Sequence, residues 1–138
     1  VVPVTADGQI VLIRQYRYPI DEWRWELPAG GLHDHDGSLE ALARKELAQE
    51  IGASCDEFTY VTWFYGPTSS VSEVCHVLLA RGVRLDGATA HEETESIEIH
   101  PLPIEQALAL ARSGAMKDGQ SALVLLLCEP YLKEMLHG

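Results

Sequence analysis

Blocks of β-branched and aromatic residues alternate along this chain with blocks of helical spacing, and that alternation restricts it to one broad class of fold. GQIVLIRQYRY (8–18) follows a turn signal at Asp7-Gly8 and reads as a strand, as do FTYVTWFY (58–65) and VCHVLLARGV (74–83). VVPV at the start reads as the middle of a further strand, so an N-terminal segment is expected to precede it, and a short strand is expected near 97–100. Between the strands lie helix patterns. Ser38 is a good N-cap, Leu39, Leu42, Ala43 and Leu47 supply one apolar face, and Gly52 stands where a C-cap glycine would. Pro103 opens a second helix, IEQALALARS (104–113), which Gly114 stops. QSALVLLLCE (120–129) is so apolar that as a helix it must be buried against the sheet or a partner subunit, and Pro130 is expected to end or kink it. Strands interleaved with helices imply an α/β fold with layers around a mixed sheet. No repeat, low-complexity tract or linker interrupts the 138 residues, so 1–138 is expected to be a single domain.

Charge and composition remove several functions. The formal net charge is −11, a surface that repels phosphate backbones and argues against nucleic acid as a partner. Most of that acid is a solubility surface, and some of it is available to bound cations. The longest apolar run, 122–128, is far too short for a bilayer, so no membrane partner is expected, and no secretory signal is visible. Cys55, Cys75 and Cys128 are odd in number and widely spaced, which fits a reducing, cytoplasmic setting better than a disulfide framework or zinc site. His33 and His35 flank Asp34 in HDHDGS (33–38), a pattern that reads as a solvated loop.

The stretch that carries chemistry is ELAQEIG (46–52). Glu46 and Glu50 are four residues apart, on one face of a helix, where two carboxylates can share a hard cation such as Mg²⁺. Gln49, at the i+3 position from Glu46, offers a neutral oxygen where a third carboxylate would fit. The small residues of PAGG (28–31) lie just upstream and would let a phosphate or metal approach closely. A lone acidic pair is ordinary on a solvated helix; the order of elements around this one is not.

That order resembles the Nudix hydrolase family, whose box is G-x5-E-x7-R-E-U-x-E-E-x-G-U, with U a bulky aliphatic residue. Counted back from Gly52, Gly31, Glu46, Leu47, Glu50 and Gly52 match, while Gly37, Lys45 and Gln49 replace the expected Glu, Arg and Glu. Counted forward from Gly30, Asp36 takes the first Glu position and Arg44 the Arg position, so one extra residue lies between Gly30 and Glu46. A loop absorbs an insertion more easily than a helix, which places it in HDHDG, with Asp36 swinging into the first Glu place and Lys45 in the Arg place as a point charge. LIRQYRYP followed by WELPAG (25–30), and HEETESIE followed by PLPIEQALAL, resemble the ADP-ribose pyrophosphatase branch, so the likeness runs over nearly the whole chain.

The resemblance implies a Nudix-type α/β/α sandwich and Mg²⁺- or Mn²⁺-dependent hydrolysis of a nucleoside diphosphate linked to another group, ADP-ribose or a related nucleotide sugar. Carried over residue by residue, it makes Glu46, Glu50 and the carbonyl of Ala29 metal ligands. Glu93 becomes the candidate base and Glu95 a further metal contact, with Glu92 the alternative to either. Gly30, Gly31, Arg17 and Arg24 become substrate-binding candidates, Arg17 first, with Trp23 or Tyr18 available to stack on adenine. Thr68, next to Pro67, stands where that branch commonly has proline. A homodimer is expected. The departures at Gln49, Lys45 and Gly37 also suit a Nudix domain that binds a nucleotide and hydrolyses it slowly or not at all.

Overall fold

Strands Val2–Thr5 (β1) and Gln9–Arg17 (β2) begin the sheet and are joined through a turn at Gly8, whose φ of +81° suits glycine. A short 3₁₀ turn, Tyr18–Ile20, and Asp21 in the left-handed region return the chain as Glu22–Glu26 (β3), antiparallel to β2 from Ile13↔Glu26 to Arg17↔Glu22. Helix Leu39–Ile51 (α1) comes next, then strands Glu57–Tyr65 (β4), Val74–Val83 (β5) and Ile97–Pro103 (β6), and last helices Ile104–Ser113 (α2) and Gly119–His137 (α3). This computed structural model describes residues 1–30, 37–66, 73–87 and 96–137. Gly31, Asp36, Pro67, Thr68, Glu92, Glu93 and Glu95, together with the HDH of the upstream loop, lie outside the described residues.

The strand order is β3-β2-β1-β5-β4, with β6 on the other edge of β2 along Gln9–Gln15. β1 and β5 run parallel and every other pair is antiparallel, so the sheet is mixed. Period-two alternation explains the apolar run of β2. Ile10 and Leu12 face a core built with Ile104 and Leu108 of α2 and Leu125 and Leu132 of α3. Val11 and Ile13 face a second core with Leu47 and Ile51 of α1. Helices therefore cover both faces, and the α/β/α sandwich expected from the sequence is the fold observed.

The ends of α1 follow local chemistry. Ser38 Oγ accepts from the Ala41 N–H at 3.1 Å, and Gly52 closes the helix at φ 62°. Its apolar face splits by function, however. Ala43, Leu47 and Ile51 are buried, while Leu39 and Leu42 are only half-buried and line a cavity.

Two features differ from the sequence expectation. Of the two outcomes expected at Pro130, an end or a kink, the end does not occur, and the last helix continues to His137. Pro130 is on the exposed face, as is Leu126 four residues earlier, whose carbonyl loses its helical donor there and is within reach of water. Buried Cys128 and Leu132 on either side hold the helix against the core. Strand β3 is the other: Trp23 and Trp25 alternate with charged residues, but the element is only five residues long and needs β2 beside it. Among the described residues no helix is long and apolar enough to cross a membrane.

One buried hydroxyl joins the end of β3 to the start of α3. The Leu27 N–H donates to Ser121 Oγ at 3.0 Å, and that hydroxyl donates to Asp118 Oδ2 at 2.6 Å. Asp118 also caps the helix by accepting from the Ser121 N–H at 3.2 Å, and it takes Arg24 Nη2 at 2.9 Å. Ser121→Ala leaves the Leu27 N–H buried without its acceptor, and stability should fall by about 1–3 kcal/mol. Urea unfolding measures this; an unchanged midpoint would show that the hydroxyl does not tie the layers.

Candidate active site

The segment after β3 runs against the middle of α1. Ala29 N–H donates to Glu50 Oε2 at 3.1 Å. A Cβ built on Gly30 would overlap the carboxylate of Glu46. Glycine is needed here for close approach, since Gly30 is not among the residues of positive φ. The helical period that puts Glu46 and Glu50 on one face thus meets a backbone stripped of its side chain at the matching position. Both carboxylates are half-buried, and neither is without partners.

A cavity of about 850 Å³ opens beside this contact. Ala29, Gly30 and Glu46 line it together with Leu39, Leu42 and Ala43 of α1 and Val74, His76 and Leu78 of β5. Arg17 and Glu26 line it from β2 and β3, and Asp118 and Ser121 from the start of α3.

Arg17 and Glu26 form a two-pronged ion pair, Nε to Oε2 at 2.9 Å and Nη2 to Oε1 at 2.6 Å. Glu26 is 7% exposed, and the fork supplies the hydrogen bonds that water would otherwise give its carboxylate. The hydrogen bond to Glu26 pushes the Arg17 pKa above its ordinary value, with the carboxylate's charge adding to it, and keeps the guanidinium charged. The cavity therefore carries a fixed cation whose position is set by a buried carboxylate.

The other sequence candidates fall in different places. Arg24 does not line the cavity; it is paired with Asp118 and serves the tie between β3 and α3. Gln49 is exposed on α1 and is not part of the cavity wall. Lys45 is exposed, with no ion pair among the described residues. The neighbouring Arg44 is the engaged cation, donating to the Cys55 carbonyl and to Glu40, both at 3.1 Å, and lying over Phe58. Tyr18 and Trp23 are exposed and outside the cavity wall, with Tyr16 packed against both rings. Glu26, Asp118, Ser121 and His76 were not singled out from the sequence. Only Asp118 carried a readable signal, as an N-cap residue ahead of an apolar helix.

The donor chemistry suits a hard divalent cation, which prefers carboxylate and carbonyl oxygens. Glu46, Glu50 and the adjoining backbone of Ala29 and Gly30 provide such oxygens in one place, and Gly30 keeps the approach open. Among the described residues no cluster of three or more His, Cys, Asp or Glu is assembled. By themselves two carboxylates are fewer ligands than such an ion takes, so a cation held here would need further oxygens from elsewhere.

Comparison with known proteins agrees with this geometry. The NUDIX domain family matches residues 1–123. The chain is 31% identical over 139 residues to an ADP-ribose pyrophosphatase of Bacillus subtilis, an alignment covering 100% of this chain and 74% of the relative. It is 34% identical over 125 residues to a GDP-mannose pyrophosphatase of Citrobacter koseri, covering 84% of this chain and 64% of the relative. A solved ADP compounds hydrolase has the same fold, with a TM-score of 0.81 at 20% identity over 96% of this chain and 70% of that one. A family match that runs from the first strand into α3, on a sandwich whose box helix faces the glycine turn, makes this chain a member of the Nudix hydrolase family.

Proposed function

We propose that this chain hydrolyses a nucleoside diphosphate linked to another group, ADP-ribose or a related nucleotide sugar, by attack of water on the pyrophosphate. The observation that carries the reading is the contact of Glu46 and Glu50 with the Ala29-Gly30 backbone at the wall of a cavity that also holds Arg17. The two relatives named above are pyrophosphatases named for a nucleoside diphosphate bonded to a sugar, which supports the substrate class.

In this reading Glu46, Glu50 and the Ala29 carbonyl hold Mg²⁺ or Mn²⁺, which when bound neutralises charge on the pyrophosphate oxygens and favours formation of the nucleophile. Gly30 leaves room for the carboxylate of Glu46 and for a phosphate beside it. Arg17, held by Glu26, orients the phosphates as a preset cation. Tyr18, next to Arg17, or Trp23 stacks on the base. Glu93 takes the proton of the attacking water, with Glu95 or Glu92 supporting the ligand set; these roles rest on the likeness of ETESI (93–97) to the family's acidic loop. Water oxygen bonds to one phosphorus as the bridging P–O bond breaks, so ADP-ribose yields AMP and a sugar phosphate. Outward-facing Leu123, Leu126 and Leu136 on α3 supply an apolar face for a homodimer, and the three dispersed thiols suit the cytoplasm.

A second reading, a nucleotide-binding domain with little turnover, is favoured by Gln49, Lys45 and Gly37, which depart from the box. Incubation with ADP-ribose and a panel of nucleotide sugars, with Mg²⁺ or Mn²⁺, separates the two. Release of AMP or another nucleoside monophosphate is expected; measurable binding without product would establish the second reading. Glu50→Gln should lower kcat by about 100-fold or more, since it removes charge where a cation is held. Full activity would overturn the metal assignment. Gln49→Glu should raise turnover by strengthening cation binding at this helix face, and unchanged steady-state rates would show that Gln49 impairs nothing. Gly30→Ala forces the Glu46 carboxylate aside and should cost roughly 10- to 100-fold in kcat. Its thermal stability should stay close to wild type, which distinguishes displacement of the carboxylate from misfolding.

A further inference from the structure

Beside one wall of the cavity stand aromatic residues that the proposed chemistry does not use. β4 lies beside β5 with Trp63 opposite His76 and Tyr65 opposite Val74. His76 and Val74 line the cavity, so Trp63 and Tyr65 stand one strand beyond its wall. Their neighbour Phe64 packs into the core of α2 and α3, which leaves Trp63 and Tyr65 on the α1 side of the sheet. The register shift between Tyr60 and Thr62 brings Tyr60 to the same side, where its hydroxyl lies 2.9 Å from His76 Nδ1. The three rings are 45%, 49% and 61% exposed at Tyr60, Trp63 and Tyr65. Trp63 and Tyr65 meet edge to face at 5.2 Å.

Large exposed aromatic rings beside a cavity wall keep a sizeable apolar surface in water unless something covers them. The occupant can be argued from charge and shape. A chain of net charge −11 gives a diphosphate no long-range attraction, so substrate affinity has to come from local contacts and from the neutral parts of the ligand. The shelf has no charged side chain among Tyr60, Trp63 and Tyr65. It offers flat apolar faces with a hydroxyl and an imidazole at one edge. A sugar ring has the complementary surface: a C–H face that stacks on an aromatic ring, and hydroxyls at its rim. Arg17 lies on a different wall, at the end of β2, where the proposed function places the nucleotide end.

We propose that the shelf of Tyr60, Trp63 and Tyr65, with His76 at its edge, binds the sugar joined to the nucleoside diphosphate. It thereby selects among nucleotide sugars. This rests on the reading of the cavity as a nucleotide-sugar site. The pyrophosphate lies between Arg17 and the Glu46–Glu50 pair, and the sugar extends past His76 onto the indole of Trp63.

Calorimetric binding in the presence of a chelator tests the shelf without requiring turnover. Wild type should bind ADP-ribose more tightly than ADP, and Trp63→Ala should reduce that preference by about tenfold while leaving ADP affinity unchanged. Trp63→Phe should restore most of it. Trp63 is half-exposed, and unfolding curves on each variant confirm that the fold is kept. Equal loss for ADP-ribose and ADP would place the nucleotide end on the shelf and overturn the proposal. So would an unchanged preference, whether or not light scattering shows a changed oligomeric state. A wild-type chain without a preference for ADP-ribose would overturn it as well. Sugar preference in a wild type that forms no product with Mg²⁺ or Mn²⁺ would refute the hydrolytic reading alone.

Discussion

The close contact between the Ala29-Gly30 backbone and the Glu46–Glu50 face of α1 is the constraint on which the rest of this molecule depends. The Glu46 carboxylate sits where a Cβ on Gly30 would displace it, and a helical period returns two carboxylates to the same side. Everything that positions it is elsewhere. Ser38 and Gly52 set where α1 starts and stops, while Leu47 and Ile51 press it onto the sheet. On the opposite side, the Leu27 N–H is caught by Ser121, so the turn leaving β3 is held between α1 and α3. A loop pinned from two layers keeps its backbone oriented without secondary structure of its own.

Electrostatics reinforce that arrangement at a cost. Glu26 is almost wholly buried, and burying a carboxylate is unfavourable unless hydrogen bonds and an opposite charge replace its water. Arg17 supplies both through its planar fork, a geometry that lysine cannot reproduce. In return the guanidinium is held at the cavity wall. In an acidic chain, a guanidinium fixed in this way gives the cavity wall a local positive group that the overall field does not provide.

The sandwich also explains why the cavity is where it is. The apolar face of α1 is longer than the core it covers, so Leu39 and Leu42 become cavity wall, facing His76 of the sheet across the cavity. The same helix supplies core and carboxylates because a 3.6-residue period separates the two faces by a fraction of a turn.

Features set by neighbouring residues were legible in the sequence. The caps of α1, the strands β2, β4 and β5, the pairing of Glu46 with Glu50 and the glycine turn upstream all follow from residue types at short spacing. What depended on distant partners was not. Pro130 reads as a place where a helix ends or kinks, and of these the end does not occur, because the packing of Cys128 and Leu132 carries the helix through it. Arg17 and Arg24 are both candidates as sequence, with Arg17 ranked first, and only the fold pairs the first with Glu26 at the cavity and the second with Asp118, 94 residues away, to brace β3. Gln49 drew attention by its place in the motif, but its exposure on α1 sets it outside the cavity wall. The sequence by itself determined the elements and the acidic helix face, because hydrophobic period and capping act over a few residues. Only the tertiary structure decided which charges meet and which residues line the cavity, because those contacts join residues from separate strands and helices.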